Sequence, residues 1–177
     1  KTVYEGEMKD LGVGAYHDDT PGFERDFVSR NIAFYNDELY LINADGSKTK
    51  VDAPNSASKS VYREWLSLEL REPYTVNGKT YAAGSLIATK FDDFMKGGRK
   101  FDVLFEPSDT TSLAGFSPTK NHFILNVLDN VKNRLYVLTH SDKGWTREPL
   151  KGAPGFGTVS ASGVDPEESD DYFLTVT

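Results

Sequence analysis

The chain contains no cysteine among its 177 residues, which excludes disulfides and thiol chemistry within it and leaves its compartment open. Histidine is scarce as well. His17, His122 and His140 are the only three, and no pair has the H-E-x-x-H spacing of a zinc hydrolase. No serine sits in a G-x-S-x-G elbow, so the attacking residue of an esterase or peptidase triad is missing. There is no phosphate-cradling P-loop, and Gly12-Val13-Gly14 lacks the third glycine of a dinucleotide fingerprint. Positive charge is in deficit: 20 Lys and Arg against 27 Asp and Glu give a net charge of −7, which argues against a nucleic-acid surface or an anionic membrane partner. No apolar run approaches the length of a transmembrane helix, and no secretory signal is present. These absences assign no catalytic, cofactor-binding or metal-ligating residue.

What the chain does contain is a repeat. From Thr110 to Leu150, four short apolar runs (TTSLAGFSP, NHFILNVLDN, NRLYVLTH, GWTREPL) are separated by turn residues, the pattern of a four-stranded antiparallel sheet. The third run has counterparts at 85–91 and 38–44, and matched positions Tyr40, Leu86 and Leu135 lie 46 and 49 residues apart. Second strands are expected at 23–30, 65–72, 122–129 and 171–177, and fourth strands at 48–54, 100–107 and 145–150. Weaker first strands fall at 11–17, 58–64, 111–117 and 157–164. A four-stranded unit at this period predicts an all-β chain forming part of a β-propeller, about three to four blades. The blades are expected at 11–54, 58–107 and 110–150, with a half blade at 157–177 and a strand at 3–7 closing a preceding blade.

Turn chemistry agrees. Asp45-Gly46, Asn77-Gly78, Gly97-Gly98 and Asp142-Lys143-Gly144 all fall between expected strands, where tight hairpins favour positive φ. In 123–128 and 135–138 apolar residues occupy both alternating faces, as in strands packed on two sides. Residues 65–70 alternate more cleanly, which predicts a half-exposed strand. Phe91, Phe94 and Met95 share one face of a short helical turn.

Four polar features bear on chemistry. His17-Asp18-Asp19 with Arg25 reads as a solvated turn before Pro21, or as a polar cluster on a domain face. Asp165–Asp171 has the acidity of a calcium loop, yet Asp170 and Val176 stand where that loop needs glycine and glutamate, so a charged hairpin loop is expected. Arg63 and Glu64 are expected to pair across neighbouring strands. Asp92-Asp93 suits the N-terminal charge of a helix better than acid–base catalysis.

Several segments carry a family resemblance. TPGFERDFVS (20–29), YREWLSLELREPYTVNGKTYAAGSLIATKFDDF (62–94), TSLAGFSPTKNHFILNVLDNVKNRLYVLT (111–139) and GVDPEESDDYFLTVT (163–177) resemble the propeller of the prolyl oligopeptidase family of serine peptidases, particularly its bacterial branch. The resemblance implies a seven-bladed propeller that caps an α/β-hydrolase domain of the same parent chain. Short peptides would pass and folded proteins would not, with cleavage after proline. The Ser-Asp-His triad belongs to the hydrolase domain, so no catalytic residue, cofactor or metal transfers to this sequence. The implied partners are that domain and a peptide substrate, and an isolated piece with open blade faces is expected to self-associate. Two rival readings stand beside it. One is a propeller-type module that binds a protein. The other is a glycan-acting enzyme using carboxylates such as Asp18, Asp92 or Asp129, although no spacing singles out a pair.

Overall fold

In a computed structural model, residues 2–155 and 157–177 are described. Among the described residues the chain is all-β apart from one helical turn. Its strands are β1 (Gly12–Asp18), β2 (Arg25–Ala33), β3 (Asn36–Ile42), β4 (Lys48–Lys50), β5 (Ser58–Tyr62), β6 (Trp65–Glu69), β7 (Tyr74–Val76), β8 (Lys79–Tyr81) and β9 (Leu86–Lys90). After α1 (Phe91–Met95) come β10 (Asp102–Phe105), β11 (Thr111–Pro118), β12 (His122–Asp129), β13 (Lys132–Ser141), β14 (Gly144–Pro149), β15 (Val159–Gly163) and β16 (Tyr172–Val176). Three four-stranded sheets have the orders β1-β2-β3-β4, β10-β9-β6-β5 and β11-β12-β13-β14, while β7-β8 and β15-β16 form two-stranded ladders. These antiparallel meanders are the sheets expected of a partial β-propeller.

The chain divides into two compact units, one running to Ala83 and including Ile87–Phe101, the other comprising Gly84–Leu86 and Asp102–Thr177. In the first, one core joins Phe27, Leu39 and Val51 of the first-sheet segment to Leu66, Leu68 and Ile87 of β6 and β9. Phe91 and Phe94 of α1 enter the same core, where Phe91 meets Phe27 edge-on at 5.8 Å. The β7-β8 hairpin closes on Asn77-Gly78, with φ of 50° and 75°, the doubly left-handed turn that this dipeptide favours. Its Tyr74 and Tyr81 pack edge-on against Phe101. In the second unit, Ile124, Leu135 and Leu150 pack with Val159 of β15. Both cores arise because strands with apolar residues on successive positions must bury two faces at once.

Three expectations are corrected. Residues 65–70 are buried rather than half exposed: Trp65, Leu66, Ser67 and Leu68 all lie inside. Ser67, 3% exposed, is buried because β6 lies between β5 and β9 in the interior of its sheet. Arg63 and Glu64 stand in a turn rather than on neighbouring strands. They form the two-residue turn between the paired Tyr62 and Trp65, with Arg63 left-handed at φ 49°. Residues 3–7 form no strand, because no described strand lies alongside to complete a ladder; the segment turns instead, with Asp10 N donating to the Glu7 carbonyl. The loop at 152–157 includes position 156, which lies outside the described residues.

Leu68 is fully buried in the interior of its sheet. Leu68→Ala is expected to lower unfolding stability by about 2–5 kcal/mol in urea titration, the range for a core leucine that leaves a cavity.

Candidate functional site

Polar side chains gather where the turns are. In the second unit the Pro118–His122 turn between β11 and β12 meets the loop joining β15 to β16. Glycine is required at the contact: a Cβ on Gly163 would stand 2.3 Å from the Pro118 carbonyl oxygen. The expected charged hairpin loop forms here, with the Asp165 carboxylate accepting from the backbone of Glu167 and Glu168 in the manner of an Asx turn. Asp170 then reaches across. Its carboxylate accepts from Thr119 Oγ1, Asn121 N and Asn121 Nδ2, each at 2.7 Å. Lys120 adds a backbone bond to the Ser169 carbonyl at 3.0 Å. Burial acts to raise the Asp170 carboxyl, but the bonds from Asn121 and Thr119, with His122 nearby, outweigh it and hold it below the usual carboxylate range.

Beside this clasp lies a pocket of about 370 Å³. Ile124, Val137 and Leu150 supply its apolar lining, and His122, Asp170 and Tyr172 its polar part. His122 Nδ1 shares a 2.8 Å hydrogen bond with Thr139 Oγ1, and its Nε2 stands 3.9 Å from the Asp170 carboxylate. At 3.9 Å the imidazole and the carboxylate are beyond hydrogen-bond reach, and the carboxylate is already occupied by three donors, so no hydroxyl–imidazole–carboxylate relay is formed. The arrangement can hold a loop and accept a small group. It does not activate a nucleophile.

The other residues singled out by sequence sit apart in local networks. His17 Nδ1 contacts the Asp26 carboxylate at 2.8 Å on the surface, and that hydrogen bond raises the imidazole above its ordinary pKa. Asp18 accepts from Thr20 N and lies 4.0 Å from Arg25 Nη1, so the turn reading and the polar-cluster reading both describe part of it. Asp92 and Asp93 occupy the first turn of α1. Asp129 is engaged by Arg134 at 3.3 Å and Asn130 at 3.1 Å. His140 packs edge-on against Trp145 at 5.0 Å. Among the described residues no three His, Asp or Glu side chains converge to hold a metal ion. Sequence reasoning passed over the Asp170 clasp, whose partners lie 49–51 residues away and carry no local signature.

No family model matches the chain. An uncharacterized peptidase of Sinorhizobium fredii is 26% identical over 181 residues, covering 97% of this chain and 25% of the relative. An uncharacterized peptidase of Rickettsia prowazekii is 24% identical over 135 residues, covering 72% of this chain and 19% of the relative. Among solved structures, a post-proline cleaving enzyme from Rickettsia typhi matches 99% of the chain with a TM-score of 0.86 at 24% identity. The chain is thus similar to part of each peptidase and shares the fold of part of the solved enzyme. It spans 27% of that solved chain and 19–25% of the curated relatives.

Replacing Asp170 by asparagine leaves one acceptor for three donors. Asp170→Asn is expected to cost about 1–2 kcal/mol and to speed amide exchange at Lys120 and Asn121. A carboxyl whose folded pKa lies below its unfolded value of about 3.9 stabilises the fold above that pH and loses the contribution as pH falls through the folded value. The variant should therefore show a shallower acid limb than wild type in stability measured from pH 5 downward.

Proposed function

We propose that this chain is the substrate-gating propeller portion of a prolyl-oligopeptidase-like serine peptidase that acts on short proline-containing peptides. The observation that carries the reading is the TM-score of 0.86 over 99% of the chain to part of a post-proline cleaving enzyme. Its blades are 11–54, 58–107 and 110–150, with a half blade at 157–177. Its partners are an α/β-hydrolase domain of the same parent chain and the peptide substrate. The chain contributes no catalytic group, in keeping with a sequence that has no G-x-S-x-G elbow. Its contribution is steric: stiff sheets packed on both faces set which substrates approach the nucleophile, and turns supply the contacts.

A second reading, a non-catalytic protein-binding module, draws on Phe34 and Tyr35, 82% and 71% exposed at the tip of the β2–β3 hairpin. Aromatic residues held out in water are the usual anchors of protein interfaces. The readings separate in the parent reading frame and in an assay. A parent enzyme containing this segment is expected to cleave a short proline-containing reporter peptide and to spare folded proteins, whereas the purified 177-residue chain is expected to be inert. Cleavage by the chain alone, blocked by a serine-directed inhibitor, would overturn the proposal. A parent with no peptidase activity would favour the binding module.

The isolated chain is also proposed to self-associate. Among the described residues strand β16 pairs only with β15, and its Phe173, Leu174 and Val176 are 64%, 36% and 48% exposed. Light scattering is expected to show mass rising above 19.7 kDa with concentration. A constant monomer mass at high concentration would refute it.

A further inference from the structure

Residues 4–10 lie against the face of the first sheet that its apolar core does not use. Cross-strand register separates the two faces. Phe27 is paired with Leu41 and packs with it in the core of the first unit. Arg30 is paired with Val13 and with Glu38, Val28 with Tyr40, and Tyr40 with Lys50, so these side chains share the opposite face. The segment meets that face at three places. The Tyr4 ring lies 5.6 Å from Lys48 Nζ. Gly6 sits so close to β1 that a Cβ there would stand 2.5 Å from Val13 Cγ1. Arg30 donates to Glu7 through Nη2 and to Asp10 through Nε, both at 2.7 Å.

Charge holds the segment in place. Glu38, 3.5 Å from Arg30, is itself bound by Lys50 at 2.8 Å and Tyr40 at 2.7 Å. Asp10 Oδ2 also accepts from Glu7 N at 2.8 Å, which closes the segment into a turn. Apolar burial contributes little: Val3, Met8 and Leu11 are 58%, 105% and 59% exposed. The closed position also carries a penalty. The Asp10 side chain is 2% exposed, and its Oδ1 is buried without a hydrogen-bond partner.

We propose that residues 4–10 form a displaceable ionic strap, which opens independently of the sheet beneath it and uncovers the Arg30–Glu38–Lys50 row. Ion pairs favour the closed position, and the orphaned carboxylate oxygen opposes it. The charged and titratable groups that meet there are Tyr4, Glu7, Lys9 and Asp10 from the strap and Arg30, Glu38, Tyr40, Lys48 and Lys50 from the sheet. Glu7, Asp10 and Glu38 are all held below their ordinary pKa, by hydrogen bonds from Lys9, Arg30 and Lys50 respectively. The strap is therefore closed above the unfolded carboxylate range and opens as pH falls through the folded values. High salt acts in the same direction by screening the exposed pairs.

Hydrogen exchange of the 177-residue chain, read by mass spectrometry and corrected for intrinsic rates, tests this. The reporters are the amides of Glu7, Asp10 and Leu11, each of which donates a hydrogen bond in the closed strap. Gly6→Ala, which collides with Val13, and Arg30→Met, which removes the ionic hub, are each expected to raise exchange in residues 3–11 about tenfold or more. Protection of 27–41 should be unchanged, as for a local opening. Wild type in molar salt should shift in the same direction. Gly6→Ala alters only the strap, so it remains informative if Arg30→Met perturbs β2. Unchanged strap exchange in Gly6→Ala would overturn the proposal, as would loss of strap protection only together with 27–41.

Discussion

Burial of both faces of each central strand is the constraint on which the rest of this structure depends. A sheet that packs on one side can alternate apolar and polar residues. Here β6 and β12 cannot, and successive residues such as Leu66-Ser67-Leu68 and Phe123-Ile124-Leu125 are all inside. Such strands have no room for a titratable side chain. In these strands chemistry is displaced to the ends and turns, while the first sheet carries its Arg30–Glu38 network on the face away from the apolar core.

Those networks share a design. One charged side chain bonds to a turn or strand of the next sheet segment, usually through main-chain groups. Arg25 of β2 donates to the carbonyl of Arg63 at 2.7 Å and lies over the Phe91 ring at 4.8 Å. Lys59 of β5, with 1% of its side chain exposed, donates to the Asp37 and Ala57 carbonyls and to the Asp37 carboxylate. Asp170 does the equivalent with the reverse charge. Arg25 and most of the Lys59 bonds use main-chain partners, whereas Asp170 also depends on the Thr119 and Asn121 side chains, and a buried charged group with several bonds is costly to disturb. The Arg30 strap differs in kind, because both sides of its ionic contact are side chains.

Short turns join the strands of each sheet, and the pocket beside Asp170 combines a polar clasp with an apolar lining. The chain is similar to an uncharacterized peptidase over 25% of that relative's length.

The sequence by itself determined the all-β class, the four-stranded repeat and the turn positions. Spacing of apolar runs and Gly or Asn at left-handed sites are local properties, written within ten residues of where they act; Asn77-Gly78 and the 122–129 strand are examples. It also determined the absence of a nucleophile elbow. Only the tertiary structure decided that Ser67 is buried, because exposure depends on what packs above a strand and not on its own alternation. The same holds for Asp170 with Thr119, Arg30 with Asp10, and Arg25 with Arg63. Their partners lie 20 to 51 residues away, and no pattern within either segment encodes the meeting. Residues 3–7 show the limit most plainly: their composition suits a strand, but a strand forms only where a neighbour completes its hydrogen bonds.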